Sequence, residues 1–234
     1  MQTDIRTNAT TRTVGIPAST RGMRSRRRAI AGALLSITGI GMILSIITNE
    51  ALYPAARHYT TFTNTISDLS GTEPPNSYMV QTNRLIFILT MAICGVLVLT
   101  ATYLLWRVVE RRRFLVALAI FGVGLVGISV FPGNVAAWHP LFAFACFIGG
   151  AVAAILSRKV LRSSTRYFAA TLGTIALVAT VFGLESFADW GPQAEIGVGG
   201  MERWIAYPVL LWLVMLGSDL MRGAAGAATG EREG

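Results

Sequence analysis

Six long apolar runs leave this chain little choice of fold. They lie near residues 29–48, 85–106, 114–131, 140–157, 167–184 and 204–221. Each is long enough to cross a hydrocarbon core, which takes about 20 residues of helix. A segment in lipid must satisfy its own backbone hydrogen bonds, and none of the runs alternates with the period of two that a barrel strand needs. The expected fold is therefore all-α, an integral membrane bundle of six transmembrane helices. Composition agrees, since 53% of the residues are hydrophobic and 14% charged, against about 25% charged in soluble domains.

The net charge of +8 would suit a nucleic-acid partner only if it formed a face on a soluble fold. It falls instead in short clusters between the apolar runs, which is the pattern that orients membrane helices. Seventeen of the twenty Lys and Arg residues lie before the first run, in the second-to-third and fourth-to-fifth connections, or after the last run. Arg57, Arg84 and Arg203 make up the other side. Both termini are thus expected in the cytoplasm of a cell whose membrane the chain crosses. Residues 1–28 read as a disordered basic tail, 29–221 as the transmembrane domain and 222–234 as a second disordered tail. The first run is longer than the 7–15-residue core of a signal peptide and is followed by "IITNEALYP", a poor cleavage site. Cys94 and Cys146 both fall inside apolar runs and read as packing residues, with no disulfide framework and no thiolate metal site.

Residues able to do chemistry gather on the side away from the Arg clusters. Both histidines, His58 and His139, are there, with Glu50, Asp68, Glu73, Glu185, Asp189, Glu195 and Glu202. The first outer connection, 49–84, exceeds the 12–15 residues beyond which loops are usually functional or disordered. Ala55, Tyr59, Phe62, Ile66 and Leu69 recur at helical spacing, which predicts a structured lid. The Thr-rich "YTTFTNT" lowers helix propensity and keeps an irregular lid open as the alternative. Within "TISDLS", Asp68 reads either as a local turn aspartate bonding backbone N–H groups or as a carboxylate aimed into the bundle and paired with an outer arginine. His139-Pro140 opens the fourth span, with His139 at the cap and Pro140 in the first turn. His139 is then either a capping histidine or a proton-handling group. Glu202 is placed in the first turn of the last span. Arg203 and Tyr207 share a face one turn apart, and Pro208 predicts a kink.

"ISDLS" after a Tyr-Pro loop, then Asn83, "FP", "HP" and "ER…YP…W", in this order, resemble a family of uncharacterised prokaryotic membrane proteins, the domain of unknown function 998 family. The resemblance spans roughly 29–221. It departs at one point, since the usual "ISDLG" is here "ISDLS" followed by Gly71. It implies a multi-helix membrane protein, and Ser67, Asp68, Asn83, His139, Glu202 and Arg203 match its motif positions. It implies no reaction and no cofactor.

Three function classes follow. The first is a binding protein holding a membrane lipid, a lipid-linked molecule or a membrane partner at the outer mouth. Arg57, Arg84 and Arg203 would meet phosphate or carboxylate, with Ser67, Asp68, Asn83, His139, Glu202 and Tyr207 around them. The second is a hydrolase or transferase at the outer leaflet, with His139 as base and Asp68 or Glu202 as its partner. A metal version would need His58, His139 and a carboxylate to converge, and no metal-binding or nucleotide-binding motif is present in the sequence. The third is a transporter, against which the span centres offer no ionisable residue. Gly39, Gly41, Gly122, Gly124, Gly127, Gly149 and Gly150 read as close helix packing, within the bundle or across a homodimer.

Overall fold

The computed structural model of the chain describes residues 18–70, 81–133, 137–161, 165–184 and 192–229. Glu73, Glu185 and Asp189, and most of both tails, lie outside the described residues. Six helices run in chain order: α1 Ala18–Leu52, α2 Gln81–Trp106, α3 Arg112–Val130, α4 His139–Ser157, α5 Thr165–Leu184 and α6 Pro192–Thr229. All six are long and apolar enough to cross a membrane, and no strand occurs among the described residues. The chain is a multi-pass membrane protein built as an all-α bundle.

Consecutive helices pack against each other, and α1 packs against α6, so the bundle closes as a ring in chain order. Small residues set the closest approaches. At the α1–α6 seam Gly32 and Gly217 face each other, so a Cβ on either would meet the backbone carbonyl of the other. Ser36 donates to the Val214 carbonyl at 3.3 Å and Ser25 to the Ala224 carbonyl at 2.7 Å. Gly124 and Gly127 let Phe142 and Cys146 of α4 lie against α3. Of the glycines expected to pack, Gly41 alone faces open space. The buried indole of Trp212 donates to Ser157 Oγ at 2.9 Å, which satisfies a polar group where water is absent.

Three details depart from the sequence expectations. First, α1 begins at Ala18, so residues 18–28 continue the helix. At 35 residues α1 is about 52 Å long, well beyond a hydrocarbon core of about 30 Å. Its Arg-rich start therefore projects past the apolar layer. Second, α6 is interrupted at Gly197 (φ 74°, ψ 166°) and not at Pro208, which sits within the helix. Third, the apolar stripe 55–69 is not one helix. It forms two short 3-10 turns, Ala55–Arg57 and Ser67–Ser70, with irregular backbone between them.

Candidate functional site

The connection from Tyr53 to Ser70 folds on itself through its polar side chains. His58 takes a left-handed conformation (φ 51°) at the end of the first 3-10 turn. Thr60 N donates to Asn64 Oδ1 at 3.1 Å, and Asn64 N donates to the Thr60 carbonyl at 2.9 Å. Thr65 N then donates to Asp68 Oδ2 at 2.8 Å, while Asp68 N donates to Thr65 Oγ1 at 3.1 Å. This reciprocal pair is a capping box at the start of the second turn. Asp68 is thus placed as a local cap, and its further partner is the Asn64 amide at 3.5 Å. Side chains that satisfy backbone groups locally compete with helix formation, which is why the stripe does not become a helix. Ile66, Leu69 and Ser70 are buried, so this turn is pressed onto the bundle.

Two residues of α6 hold the connection. Arg203 is buried and spends its donors there. Nε and Nη2 donate to Glu50 Oε1 at 3.2 and 2.5 Å, and Nη2 also donates to the Tyr59 hydroxyl at 2.7 Å. Nη1 donates to the carbonyls of Gly199 (2.7 Å), Asn64 (3.1 Å) and Thr61 (3.4 Å). The Tyr59 hydroxyl donates onward to the Thr65 carbonyl at 2.9 Å. Burial raises the Tyr59 phenol above its ordinary value, against the lowering effect of Arg203, so the hydroxyl keeps its hydrogen. Gly199 N donates to the Phe62 carbonyl at 3.1 Å. Gly197 and Gly199 lie so close to the connection that a Cβ on either would collide with the Phe62 or Asn64 carbonyl.

Glu202, the neighbour of Arg203, lies in the second turn after the Gly197 break. Its Oε2 accepts from Ile66 N and from Ser67 N (3.4 Å), and its Oε1 lies 3.0 Å from Ser67 Oγ. Ser67 Oγ in turn lies 3.1 Å from His139 Nε2, and His139 Nδ1 donates to the Phe131 carbonyl at 2.9 Å. A four-part row, Phe131–His139–Ser67–Glu202, therefore joins the end of α3, the start of α4, the connection and α6. Behind it lies a cavity of about 60 Å³ lined by Met42, Phe87, Leu125, Cys146 and other apolar residues, with Ser67 and Glu202 at its polar end.

The structure thus brings Ser67, His139 and Glu202 together and sets Arg203 beside them on a separate cluster. Asn83 sits elsewhere, at the α1–α2 seam, where its amide donates to the Asn49 carbonyl and Oδ1 at 2.7 and 2.8 Å. Arg84 is partly buried near the start of α2. Arg57 lies in the first 3-10 turn, and its side chain is outside those described. No group of three His, Cys, Asp or Glu suited to a metal ion occurs among the described residues. Sequence reasoning missed Glu50 and Tyr59 as partners of Arg203. The usable signal was a carboxylate ending an apolar run in "IITNEALYP", on the same side as an arginine in need of a counter-charge.

A second hollow, of about 520 Å³, opens sideways between α5 and α6. Leu172, Ile175, Ile196, Pro208 and Leu211 form its apolar wall, and Arg203, Tyr207 and Thr61 lie at its polar end. A neighbouring hollow of about 460 Å³ shares Ile175, Ile196 and Trp204 with it. Trp204 and Leu211 are more than half exposed, so the groove faces what surrounds the bundle.

A family model described as "Protein of unknown function (DUF998)" matches residues 41–219. No curated protein and no solved structure matches the chain.

Proposed function

Because the chain belongs to the DUF998 family, whose description carries no reaction, we propose a function from the geometry: binding of a membrane lipid or lipid-linked molecule in the groove between α5 and α6. The observation that carries it is the groove itself. Its volume of about 520 Å³ lies within the roughly 300–1,000 Å³ of small-molecule sites. An apolar wall open to the surroundings suits a hydrocarbon chain, and a polar end at Tyr207 and Thr61 suits a headgroup. Arg203 borders the groove with its charge already balanced by Glu50, which favours a neutral, hydroxyl- or amide-bearing head over a phosphate. The test is mass spectrometry of lipid carried through purification by the wild-type chain and by Leu172→Trp, which fills the groove. A defined lipid lost in the variant supports the reading. The same lipid complement in both, or none above detergent background, sinks it.

A second reading rests on a separate observation. His139 Nε2 faces Ser67 Oγ at 3.1 Å while a backbone carbonyl fixes the ring through Nδ1. This is how a base is held beside a nucleophile, with Glu202 as the adjoining acid-base group. Covalent labelling of Ser67 by a fluorophosphonate, lost in His139→Ala, would favour this hydrolase or transferase reading. An unlabelled Ser67 would remove it.

The skewed distribution of Lys and Arg further supports placement in the cell membrane with both termini cytoplasmic. A cysteine at Ser77 should then react with an impermeant reagent from outside, and reaction from the cytoplasmic side alone would reverse the topology.

A further inference from the structure

The row through Ser67 has a fixed hydrogen count, and that count points beyond the groove. His139 Nδ1 lies 2.9 Å from the Phe131 carbonyl oxygen. A carbonyl oxygen only accepts, so Nδ1 carries a hydrogen. Two contacts remain, Nε2 to Ser67 Oγ at 3.1 Å and Ser67 Oγ to Glu202 Oε1 at 3.0 Å. Each needs one hydrogen between its heavy atoms, and the serine hydroxyl supplies one of the two.

The second hydrogen has two places to sit. On Nε2 it makes His139 an imidazolium that donates to Ser67, whose hydroxyl then donates to an ionised Glu202. On Oε1 it makes Glu202 a neutral acid that donates to Ser67, whose hydroxyl then donates to Nε2. Moving one hydrogen across each contact interconverts the two arrangements. Both have zero net charge. Without the extra proton the row is an anion with one contact in which two electron pairs face each other.

The surroundings oppose that anion. Ser67 and Glu202 end a cavity that is otherwise apolar, where a carboxylate compensated only by the Ile66 and Ser67 amides is costly. From the connection, Asp68 acts on Glu202 with charge of the same sign. Glu50 of α1 and Arg203 of α6 are joined to each other, and the Arg203 donors go to Glu50, Tyr59 and three carbonyls. The Tyr59 hydroxyl accepts from Arg203, and Tyr207 lines the same groove as Arg203. No described cation is bonded to Glu202.

We propose that Ser67, His139 and Glu202 form a proton-binding site, whose single proton latches the first connection onto α4 and α6. Loss of the proton breaks one of the two contacts of the Ser67 hydroxyl while the Ile66 and Ser67 amides stay on Glu202 Oε2, so proton release loosens the connection without freeing it. The site is separate from the α5–α6 groove and does not depend on a lipid being bound there.

The test uses the full chain in lipid nanodiscs. His58→Asn leaves His139 as the sole imidazole of a chain with two histidines, and Asn tolerates the left-handed backbone at that position. Nitrogen-15 imidazole spectra are read together with infrared difference spectra of Glu202→Gln. Two results near neutral pH support the proposal. In one, both His139 nitrogens are protonated. In the other, Nδ1 alone is protonated and a neutral-carboxyl band is present that Glu202→Gln loses. Nδ1 alone protonated without such a band, or hydrogen on Nε2 alone, overturns it.

The latching part is read from Cys146, which lines the cavity, in a Cys94→Ala background. Glutamine at position 202 can accept from the two backbone amides and donate to Ser67 at any pH, so it mimics the latched state. Thiol labelling of the wild type relative to Glu202→Gln should rise from about one to tenfold or more as pH increases. A ratio that stays near one throughout, once the spectra show the proton gone, refutes the latch.

Discussion

Removing Glu50 tests whether the Arg203 cluster holds the connection or merely decorates it. The Arg203 side chain is 9% exposed and that of Glu50 23%, so Glu50→Leu strands a guanidinium with no carboxylate. Breaking a buried pair from one side costs about 3–5 kcal/mol. Arg203→Met strands Glu50 less severely, because it is the more exposed partner. It also strips donors from the carbonyls of Thr61, Asn64 and Gly199, at about 1–3 kcal/mol for each carbonyl that stays buried and unpaired. The double variant leaves neither charge alone, so it should cost less than the sum of the singles by about 0.5–3 kcal/mol. The assay is reversible denaturation in mixed micelles for all four corners of the cycle. Limited proteolysis of the connection in the same samples locates the loss. If Glu50→Leu costs less than about 1 kcal/mol, or the singles simply add within about 0.5 kcal/mol, the pair does not anchor the connection and the reasoning fails.

Three further outcomes are expected. Glu202→Leu leaves the Ile66 and Ser67 amides without an acceptor and should cost about 1–3 kcal/mol for each that stays buried, read by denaturation in mixed micelles. Ser157→Ala leaves the buried Trp212 N–H unpaired and should cost about 1–3 kcal/mol; in the same denaturation assay Trp212→Phe should cost less in that background than in the wild type. Gly199→Val drives a side chain into the Asn64 carbonyl and should make the connection cleavable by protease while the six helices keep their circular dichroism.

The helices were legible because lipid imposes a single rule, a run of about 20 apolar residues, and each of the six obeys it. The site was legible only in part. Ser67, His139 and Glu202 could be grouped through the order of short motifs, but the bonds among them span 72 and 135 residues, and nothing local encodes such distances. The apolar spacing of the connection points to a helix and its Thr-rich stretch to the irregular backbone that forms. What decides its backbone is Thr60, Asn64, Thr65 and Asp68, whose side chains offer the chain closer partners than the next helical turn would. The kink was placed at Pro208, the obvious breaker. It falls at Gly197, because the connection's Phe62 carbonyl approaches there and only a residue without a side chain fits.

The closure of the ring by α1 and α6 also sets a timetable for synthesis. The connection leaves the ribosome soon after the first helix, yet Glu202 and Arg203, which fasten it, come last but for the end of α6. Until then Ser67 has only His139, the Ile66 amide and Glu50 have no counterpart, and the Gly32 face of α1 has no Gly217 to meet. A chain stopped after α5 would carry all of these unmatched polar groups and an open seam. The last helix is therefore where a nascent chain becomes distinguishable from a truncated one.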